Sequence, residues 1–202
     1  MIRTGHGPHT DASVRRVSGT GLLARADGVR AVYADAFAGA PWHDGDAEAE
    51  AYVRRLAGEV TRPGFAAALA LDGEKVRGFA TGWVTPADFP DGPGYAQVAS
   101  IGPGRAAAWL CGAVRIDELA VAEGARGRGL GAALLDTVAS GAPDGRCWLV
   151  TSVRAEATVR FYRRLGWHQV TDPAPGGTEL ALFLGPVHPG LHSGAGPVAD
   201  TH

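Results

Sequence analysis

The segment Val114–Ser140 constrains the fold of this chain more than any other. Its first part, Val114–Val121 (VRIDELAV), alternates between apolar and polar residues and then becomes continuously apolar, as a central strand does. A glycine-rich turn, Gly124–Gly131, follows, and the apolar spacing after it predicts a helix as far as about Ser140. A buried strand that leads through a short turn into an amphipathic helix is typical of an α/β sheet.

The turn itself predicts an anion-binding site. The first N–H groups of a helix have no partner within the helix and carry the positive end of its dipole. Gly127, Gly129 and Gly131 let a phosphate approach the backbone without interference from a Cβ, and Arg126 and Arg128 flank the turn. The alternative is a helix cap that is merely rich in glycine, but a cap needs one glycine rather than three at alternate positions.

The same string also fits the dinucleotide fingerprint G-x-G-x-x-G/A, through Gly127, Gly129 and Ala132. A dinucleotide-binding unit places an acidic residue at the end of its second strand, where it binds the ribose. Here the second strand ends in LVTS, and the nearby acid, Asp144, precedes that strand. The fingerprint should also follow the first strand of its domain, whereas more than a hundred residues precede it here. These departures disfavour a dinucleotide fold.

Apolar patterns in the rest of the chain predict an α/β architecture around this segment. Further strands are expected at 13–16, 65–71, 76–84, 146–151, 167–170 and 178–184, and further helices at 27–37, from Asp46 to a stop at Arg62–Gly64, and at 155–165. Residues 85–112 form a long, proline-containing excursion before the central strand, and loops of this length are usually functional or mobile. Residues 1–13 and 185–202 are expected to be flexible tails of one domain, 14–184.

Composition excludes several classes of function. The single lysine, Lys75, lies in a predicted hairpin turn, where it suits neither a phosphate-binding P-loop nor a Schiff base. A net charge of −2 gives no reason to expect nucleic acid or a membrane surface as a partner. No apolar run is long enough for a membrane helix, and we expect a cytoplasmic protein. Cys111 and Cys147 are too far apart for a CxxC pair, and the paired histidines lie in the predicted tails, so we expect no metal site.

Two motifs resemble the GNAT superfamily of acyl-CoA-dependent N-acyltransferases. The family pattern R/Q-x-x-G-x-G/A is matched by Arg126, Gly129 and Gly131, and the pattern F-Y-x-x-x-G-[FW] is matched by FYRRLGW at Phe161–Trp167. The resemblance implies a mixed, mostly antiparallel central sheet flanked by helices. It also implies transfer of an acetyl group from acetyl-CoA to a primary amine, by direct attack in a ternary complex. The chain departs from many relatives at the start of the second motif's helix, where Ala155 replaces an Asn.

The resemblance further implies a binding site for acetyl-CoA. Main-chain amides of the glycine-rich turn would hold the pyrophosphate, and these are the amides of Arg126, Gly127, Arg128, Gly129, Leu130, Gly131 and Ala132. The edge of the central strand at Leu119, Ala120 and Val121 would hydrogen-bond the pantetheine arm as though the arm were an added strand.

Catalytic roles follow from the same resemblance. Tyr162 stands where the family has its general acid and would protonate the departing thiolate. Glu118 is the candidate base, directly or through water, because an alkylammonium must lose its proton before it attacks a thioester. Two alternatives stay open. Tyr162 is also suited to packing on a helix face with Val159 and Leu165, and Glu118 to pointing at an edge or solvent, with Asp117 as the substitute base.

The acceptor site is expected between the first two helices, the excursion and the central strand. Aromatic and acidic residues there suit a small cationic amine, and the candidates for binding it are Phe37, Trp42, Asp44 and Trp109, accompanied by His43, Asp46, Glu48, Glu50, Phe89 and Tyr95. Acidic first turns also occur simply because they stabilise a helix N-terminus. A non-catalytic acyl-CoA sensor is the alternative function, and the edge strands are compatible with pairing in a homodimer.

Overall fold

The structure is a computed structural model that describes residues 12–89, 98, 101–172 and 179–192. The chain divides into two compact units. The first comprises Met1–Thr61, Ala66–Thr81 and Glu118–Val138, and the second comprises Arg62–Phe65, Gly82–Asp117 and Ala139–His202.

The strands of the described chain form a seven-stranded sheet. They are β1 (Ser13–Val17), β2 (Ala66–Asp72), β3 (Lys75–Val84), β4 (Val114–Val121), β5 (Cys147–Ser152), β6 (His168–Gln169) and β7 (Leu180–Leu184). Their order in the sheet is β1-β2-β3-β4-β5-β7-β6. The pairs β1–β2, β5–β7 and β6–β7 are antiparallel, whereas β4 and β5 are parallel. The predicted mixed, mostly antiparallel sheet is therefore confirmed.

Five α-helices of more than one turn lie within the described ranges. They are α1 (Gly19–Leu23), α2 (Ala26–Phe37), α3 (Asp46–Glu59), α4 (Leu130–Ala139) and α5 (Glu156–Arg164). Sequence patterns predict the four longer helices and miss α1, because a five-residue helix with two glycines has no measurable apolar period. Helix α1 is capped instead by Ser18, whose side-chain oxygen accepts a hydrogen bond from the Gly21 N–H. No described helix is long and apolar enough to cross a membrane.

The first unit contains β1, β2, most of β3 and the end of β4, with the helices α1, α2 and α3 and nearly all of α4. Strand β1 lies antiparallel on β2 from the pair Ser13–Leu71 to the pair Val17–Ala67. Its core includes the fully buried side chains Leu22, Val29, Leu56, Leu69 and Phe79. Helix α2 approaches the sheet closely at Gly28, because a Cβ at that position would lie 2.6 Å from a methyl group of Val76.

The predicted excursion begins and ends at a pair of hydrogen bonds in the second unit. The Thr85 N–H donates to the Ala113 carbonyl, and the Gly112 N–H donates to the Thr85 carbonyl, both at 2.9 Å. Toward its end the excursion forms a helical segment, Pro103–Arg105, that continues as a π-helix at Ala106–Leu110. The excursion is therefore tied to the sheet at its base and partly helical.

Beyond Leu184 the chain remains packed. Residues 185–192 include a short 3-10 helix, Pro189–Leu191, and the side chain of His188 is only 1% exposed. The His188 Nε2 lies 2.9 Å from the carbonyl oxygen of Trp109, and its Nδ1 accepts a hydrogen bond from the Gly190 N–H. The packed part of the chain thus extends past the predicted boundary at Leu184, because sequence patterns do not reveal a single buried histidine.

Candidate active site

The glycine-rich turn presents an open, donor-lined backbone. Gly127 and Gly129 have φ values of +76° and +77°, which residues with a Cβ rarely adopt. A Cβ built on either glycine meets no heavy atom of the described chain within 4 Å. Helix α4 begins here with the hydrogen bond from the Ala133 N–H to the Gly129 carbonyl, so the preceding N–H groups of the helix have no acceptor within it. These features fit a phosphate group.

Arg126 is bonded inside the protein through both its backbone and its side chain. Its N–H donates to the Glu123 carbonyl at 3.1 Å, and its guanidinium donates to the carbonyl oxygens of Val121 and Ala36 at 3.1 and 3.2 Å. The Asp35 carboxylate adds a second link to the turn by accepting the Glu123 N–H at 2.6 Å. The Arg126 side chain therefore holds the turn against α2 and β4. The main-chain N–H groups available to a ligand begin at Gly127.

Strand β4 pairs with β5 over a short distance. The parallel register joins Val114 to Cys147 and Arg115 to Trp148, and covers two of the eight residues of β4. The predicted pantetheine segment, Leu119–Val121, lies beyond this register. On β3 a Cβ at Gly78 would lie 2.9 Å from the Ala120 carbonyl, so glycine is required for the close approach of the two backbones.

Glu118 lies in the same compact unit as the glycine-rich turn and is half-buried on β4. Strand alternation places it on the sheet face of Ile116 and Ala120. Its carboxylate acts electrostatically on the Tyr33 hydroxyl, which donates a hydrogen bond to Asp44 Oδ2 at 2.8 Å. Burial raises the pKa of Tyr33 well above its ordinary value, and Glu118 and the bond to Asp44 raise it further.

Aromatic rings cluster around Tyr33. The Tyr33 ring lies 4.6 Å from Phe37 and is stacked on Tyr52 at 4.9 Å, and Trp42 meets Phe37 edge-on at 5.9 Å. Three of the predicted acceptor residues, Phe37, Trp42 and Asp44, are thus brought together. Sequence reasoning did not single out Tyr33 as a neighbour of these residues, because its spacing of four from Phe37 is typical of an ordinary helix face.

Tyr162 lies in the second unit, on α5. Its side chain is 6% exposed, and its ring centroid lies 5.9 Å from that of Trp167 and 6.0 Å from that of Phe183. Helix α5 ends at Arg164, and Gly166, which follows the C-cap Leu165, has a φ of +78°. The aromatic packing accounts for the position of the ring, and the role of the hydroxyl stays a prediction.

Trp109 and Phe89 contribute to the core of the second unit. Both rings pack against a buried cluster that contains Trp148 and Leu110. The Arg105 guanidinium lies 5.4 Å from the centroid of the Trp109 ring. The structure therefore gives Trp109 a packing role, whereas the sequence predicts it to bind the acceptor. The candidate Tyr95 lies outside the described residues, and so do residues 1–11 and 193–202 of the predicted tails 1–13 and 185–202.

Within the described ranges, no group of three or more His, Cys, Asp or Glu side chains is arranged to hold a metal ion. Burial raises the pKa of Cys147 to about 11, which keeps this thiol protonated and unreactive.

Fold and site together define a mixed α/β protein with an open, donor-lined glycine turn after a central strand. A family model described as an acetyltransferase (GNAT) domain matches residues 64–169, which is more than half of the chain. The chain belongs to the GNAT acetyltransferase family. The predicted enzyme class, an acyltransferase that uses acetyl-CoA, is confirmed at this level.

Solved structures with the same fold cover most of the chain. A putative acetyltransferase of the GNAT family from Desulfovibrio desulfuricans is 20% identical, with 86% of this chain and 96% of that chain covered and a TM-score of 0.56. YncA from Salmonella typhimurium, a putative acetyltransferase solved with its cofactor acetyl-CoA, is 15% identical, with 94% and 99% covered and a TM-score of 0.58. The ribosomal-protein-S18-alanine N-acetyltransferase from Escherichia coli is 16% identical, with 94% and 99% covered and a TM-score of 0.53. No curated protein matches the chain.

Proposed function

We propose that this protein acetylates the primary amine of a small, cationic molecule, using acetyl-CoA in a ternary complex. One observation carries the proposal. The first compact unit holds the glycine-rich turn, the Glu118 carboxylate and the group formed by Phe37, Trp42 and Asp44. A donor-lined turn for the cosubstrate, a candidate base and an anionic aromatic surface are the parts that such a reaction requires.

The proposed acetyl-CoA site consists of backbone groups. Pyrophosphate oxygens accept hydrogen bonds from free amides that follow Arg126, namely those of Gly127, Arg128, Gly129, Leu130, Gly131 and Ala132. The exposed Arg128 side chain adds positive charge beside them. Leu119, Ala120 and Val121 pair with the pantetheine arm beyond the short β4–β5 register. When bound, acetyl-CoA supplies an activated acetyl group to the acceptor.

In the proposed reaction, Glu118 accepts a proton from the acceptor ammonium, directly or through water. The freed nitrogen lone pair forms a bond to the acetyl carbonyl carbon, and the bond between that carbon and sulfur breaks. The nitrogen then releases its second proton to water, which leaves a neutral amide. Tyr162 donates its phenolic proton to the thiolate that leaves, and recovers a proton from solvent. The half-buried position of Glu118, in the same compact unit as the glycine-rich turn, supports its role as the base.

The acceptor's positive charge is proposed to lie against Asp44, with the rings of Phe37 and Trp42 beside it. A carboxylate neutralises an ammonium, and aromatic faces attract cations. A cytoplasmic location and a homodimer, both expected from the sequence, remain proposals.

The direct test is a thiol-release assay with acetyl-CoA against small amines, aminoglycosides and peptide N-termini, run beside a calorimetric titration of acetyl-CoA. We expect acetyl-CoA binding, turnover of at least one cationic small amine and a large loss of kcat in Glu118→Gln with unchanged acetyl-CoA affinity. Asp117→Asn is the matched control, and a larger kcat loss in that variant would move the base to Asp117. Binding without turnover of any amine would indicate the non-catalytic acyl-CoA sensor instead.

A further inference from the structure

The ring of Tyr33 is held in place on helix α2 by aromatic neighbours. It is stacked on Tyr52 at a centroid distance of 4.9 Å and an interplanar angle of 18°, and it is tilted against Phe37 at 4.6 Å. Tyr52 is itself buried and stacked on Phe79 at 5.5 Å. Because two neighbouring rings contact it, the position of the Tyr33 ring is determined by packing within the first unit.

Asp44 lies on the irregular segment between α2 and α3, where helix geometry does not orient a side chain. Its N–H donates to the Phe37 carbonyl at 3.0 Å, and its carboxylate Oδ2 accepts the Tyr33 hydroxyl at 2.8 Å. A carboxylate has about four acceptor positions, so this bond orients Asp44 and leaves it able to accept hydrogen bonds from a cation. Tyr33 thus determines where the Asp44 charge lies.

Charged groups around the Tyr33 hydroxyl keep it a hydrogen-bond donor. Asp44 and Glu118 both act on it as negative charges, and the Arg55 guanidinium acts in the opposite direction. Arg55 is paired with the buried Glu59 at 2.9 Å and lies 5.4 Å from the centroid of the Tyr52 ring. The phenol therefore stays neutral and donates its proton to the hydrogen bond with Asp44.

The two carboxylates near Tyr33 make different demands on an acceptor. In the proposed reaction the nitrogen near Glu118 must lose its proton to attack, whereas a nitrogen paired with Asp44 is stabilised in its protonated form. One nitrogen cannot satisfy both demands at once. An acceptor that uses both carboxylates therefore carries two nitrogens.

We propose that Tyr33 is a positioning residue that holds Asp44 for a second, protonated amino group of the acceptor, so that the enzyme prefers a diamine to a monoamine of the same length. The inference rests on the proposed function and deepens it. It assigns Asp44 to specificity rather than to the chemical step.

The test compares kcat/KM for 1,4-diaminobutane and for n-butylamine, in the wild type and in Tyr33→Phe. We expect the wild type to favour the diamine by at least about tenfold. Tyr33→Phe should reduce that preference several-fold, because the KM for the diamine rises more than the KM for the monoamine. Asp44→Asn should reduce the preference further. Tyr52→Phe is the matched control, because it removes a hydroxyl from the same ring stack and should leave the preference intact.

Two results would overturn the inference: no diamine preference in the wild type, or an equal loss on both amines in Tyr33→Phe, which would indicate a structural role. A separate binding measurement distinguishes this failure from failure of the proposed function. Calorimetry of the two amines against the full chain saturated with free CoA reports the preference without any turnover. If no amine is acetylated, the proposed function fails, and weaker diamine binding by Tyr33→Phe still decides the role of Tyr33.

Discussion

At the scale of single residues, the acetyl-CoA site depends on a backbone conformation that glycine alone adopts easily. Substitution of Gly129 by Ala adds strain of about 1–2 kcal/mol at a φ of +77° and places a methyl group in the open space above the turn. We expect Gly129→Ala to weaken acetyl-CoA binding by at least about tenfold, measured by calorimetry.

Gly73→Ala provides the matched control for this substitution. Gly73 has a φ of +58° in the turn between β2 and β3, and its Cβ position is equally free of contacts within the described chain. The Gly73→Ala variant should lose about as much stability as Gly129→Ala and keep the wild-type affinity for acetyl-CoA. Equal affinity losses in the two variants would mean that backbone strain, rather than the turn's donors, controls binding.

Tyr162 allows its hydroxyl to be tested apart from its ring. Tyr162→Phe keeps the aromatic packing on Trp167 and Phe183, so the melting temperature should change little. Loss of the proton donor should lower kcat by about 10²-fold, with little change in acetyl-CoA affinity, in steady-state kinetics. A variant with wild-type kcat would restrict Tyr162 to a packing role.

At the scale of elements, the end of the excursion is held by the C-terminal segment through His188. Both ring nitrogens are engaged, with Nε2 at the Trp109 carbonyl and Nδ1 accepting from the Gly190 N–H, so a second proton on the ring would face a donor. Burial lowers the pKa of His188, the bond to Trp109 opposes this effect, and the charge of Arg146 adds to the lowering.

The sign of the pH dependence follows from this lowered pKa. The unfolded chain takes up the proton near the ordinary value of about 6.5, before the folded chain does. Stability from His188 is therefore complete above about 6.5 and falls, by about 1.4 kcal/mol per pH unit, until the lower folded pKa is reached. Thermal unfolding between pH 7.5 and 5 should show a smaller decrease in His188→Gln than in the wild type. The exposed His168→Gln is the control, and identical slopes in all three proteins would contradict the prediction.

At the scale of the whole molecule, binding of acetyl-CoA should increase the free energy of unfolding, and this effect is measurable without a known acceptor. A ligand that binds only the folded chain stabilises it by about 2.7 kcal/mol at one hundred times its Kd. For a chain of this size that corresponds to a rise in Tm of about 5–10 °C. We expect this shift with acetyl-CoA and with free CoA in a thermal melt, and a much smaller one in Gly129→Ala at the same concentrations. No shift with either ligand would contradict the proposed binding site.

Much of the fold was accessible from local sequence patterns. The order of the longer elements, the glycine-rich turn and the helix end at Gly166 follow from apolar periodicity and from glycine's conformational freedom, which act over a few residues. Local sequence patterns failed to predict two features of the fold. Helix α1 is too short to have a period, and the burial of His188 depends on a contact with Trp109, far away along the chain.

The sequence by itself determined the family, because its two motifs are runs of neighbouring residues whose spacing is set by the turn and the helix that contain them. Tertiary structure alone decided which side chains share a site. The Arg126 guanidinium donates to the Ala36 carbonyl, Trp109 packs into a core, and Tyr33 donates to Asp44. These contacts depend on how elements that are distant in sequence pack together. Hydrogen bonds and ring contacts act over a few ångströms in space, and distance along the chain does not predict that proximity.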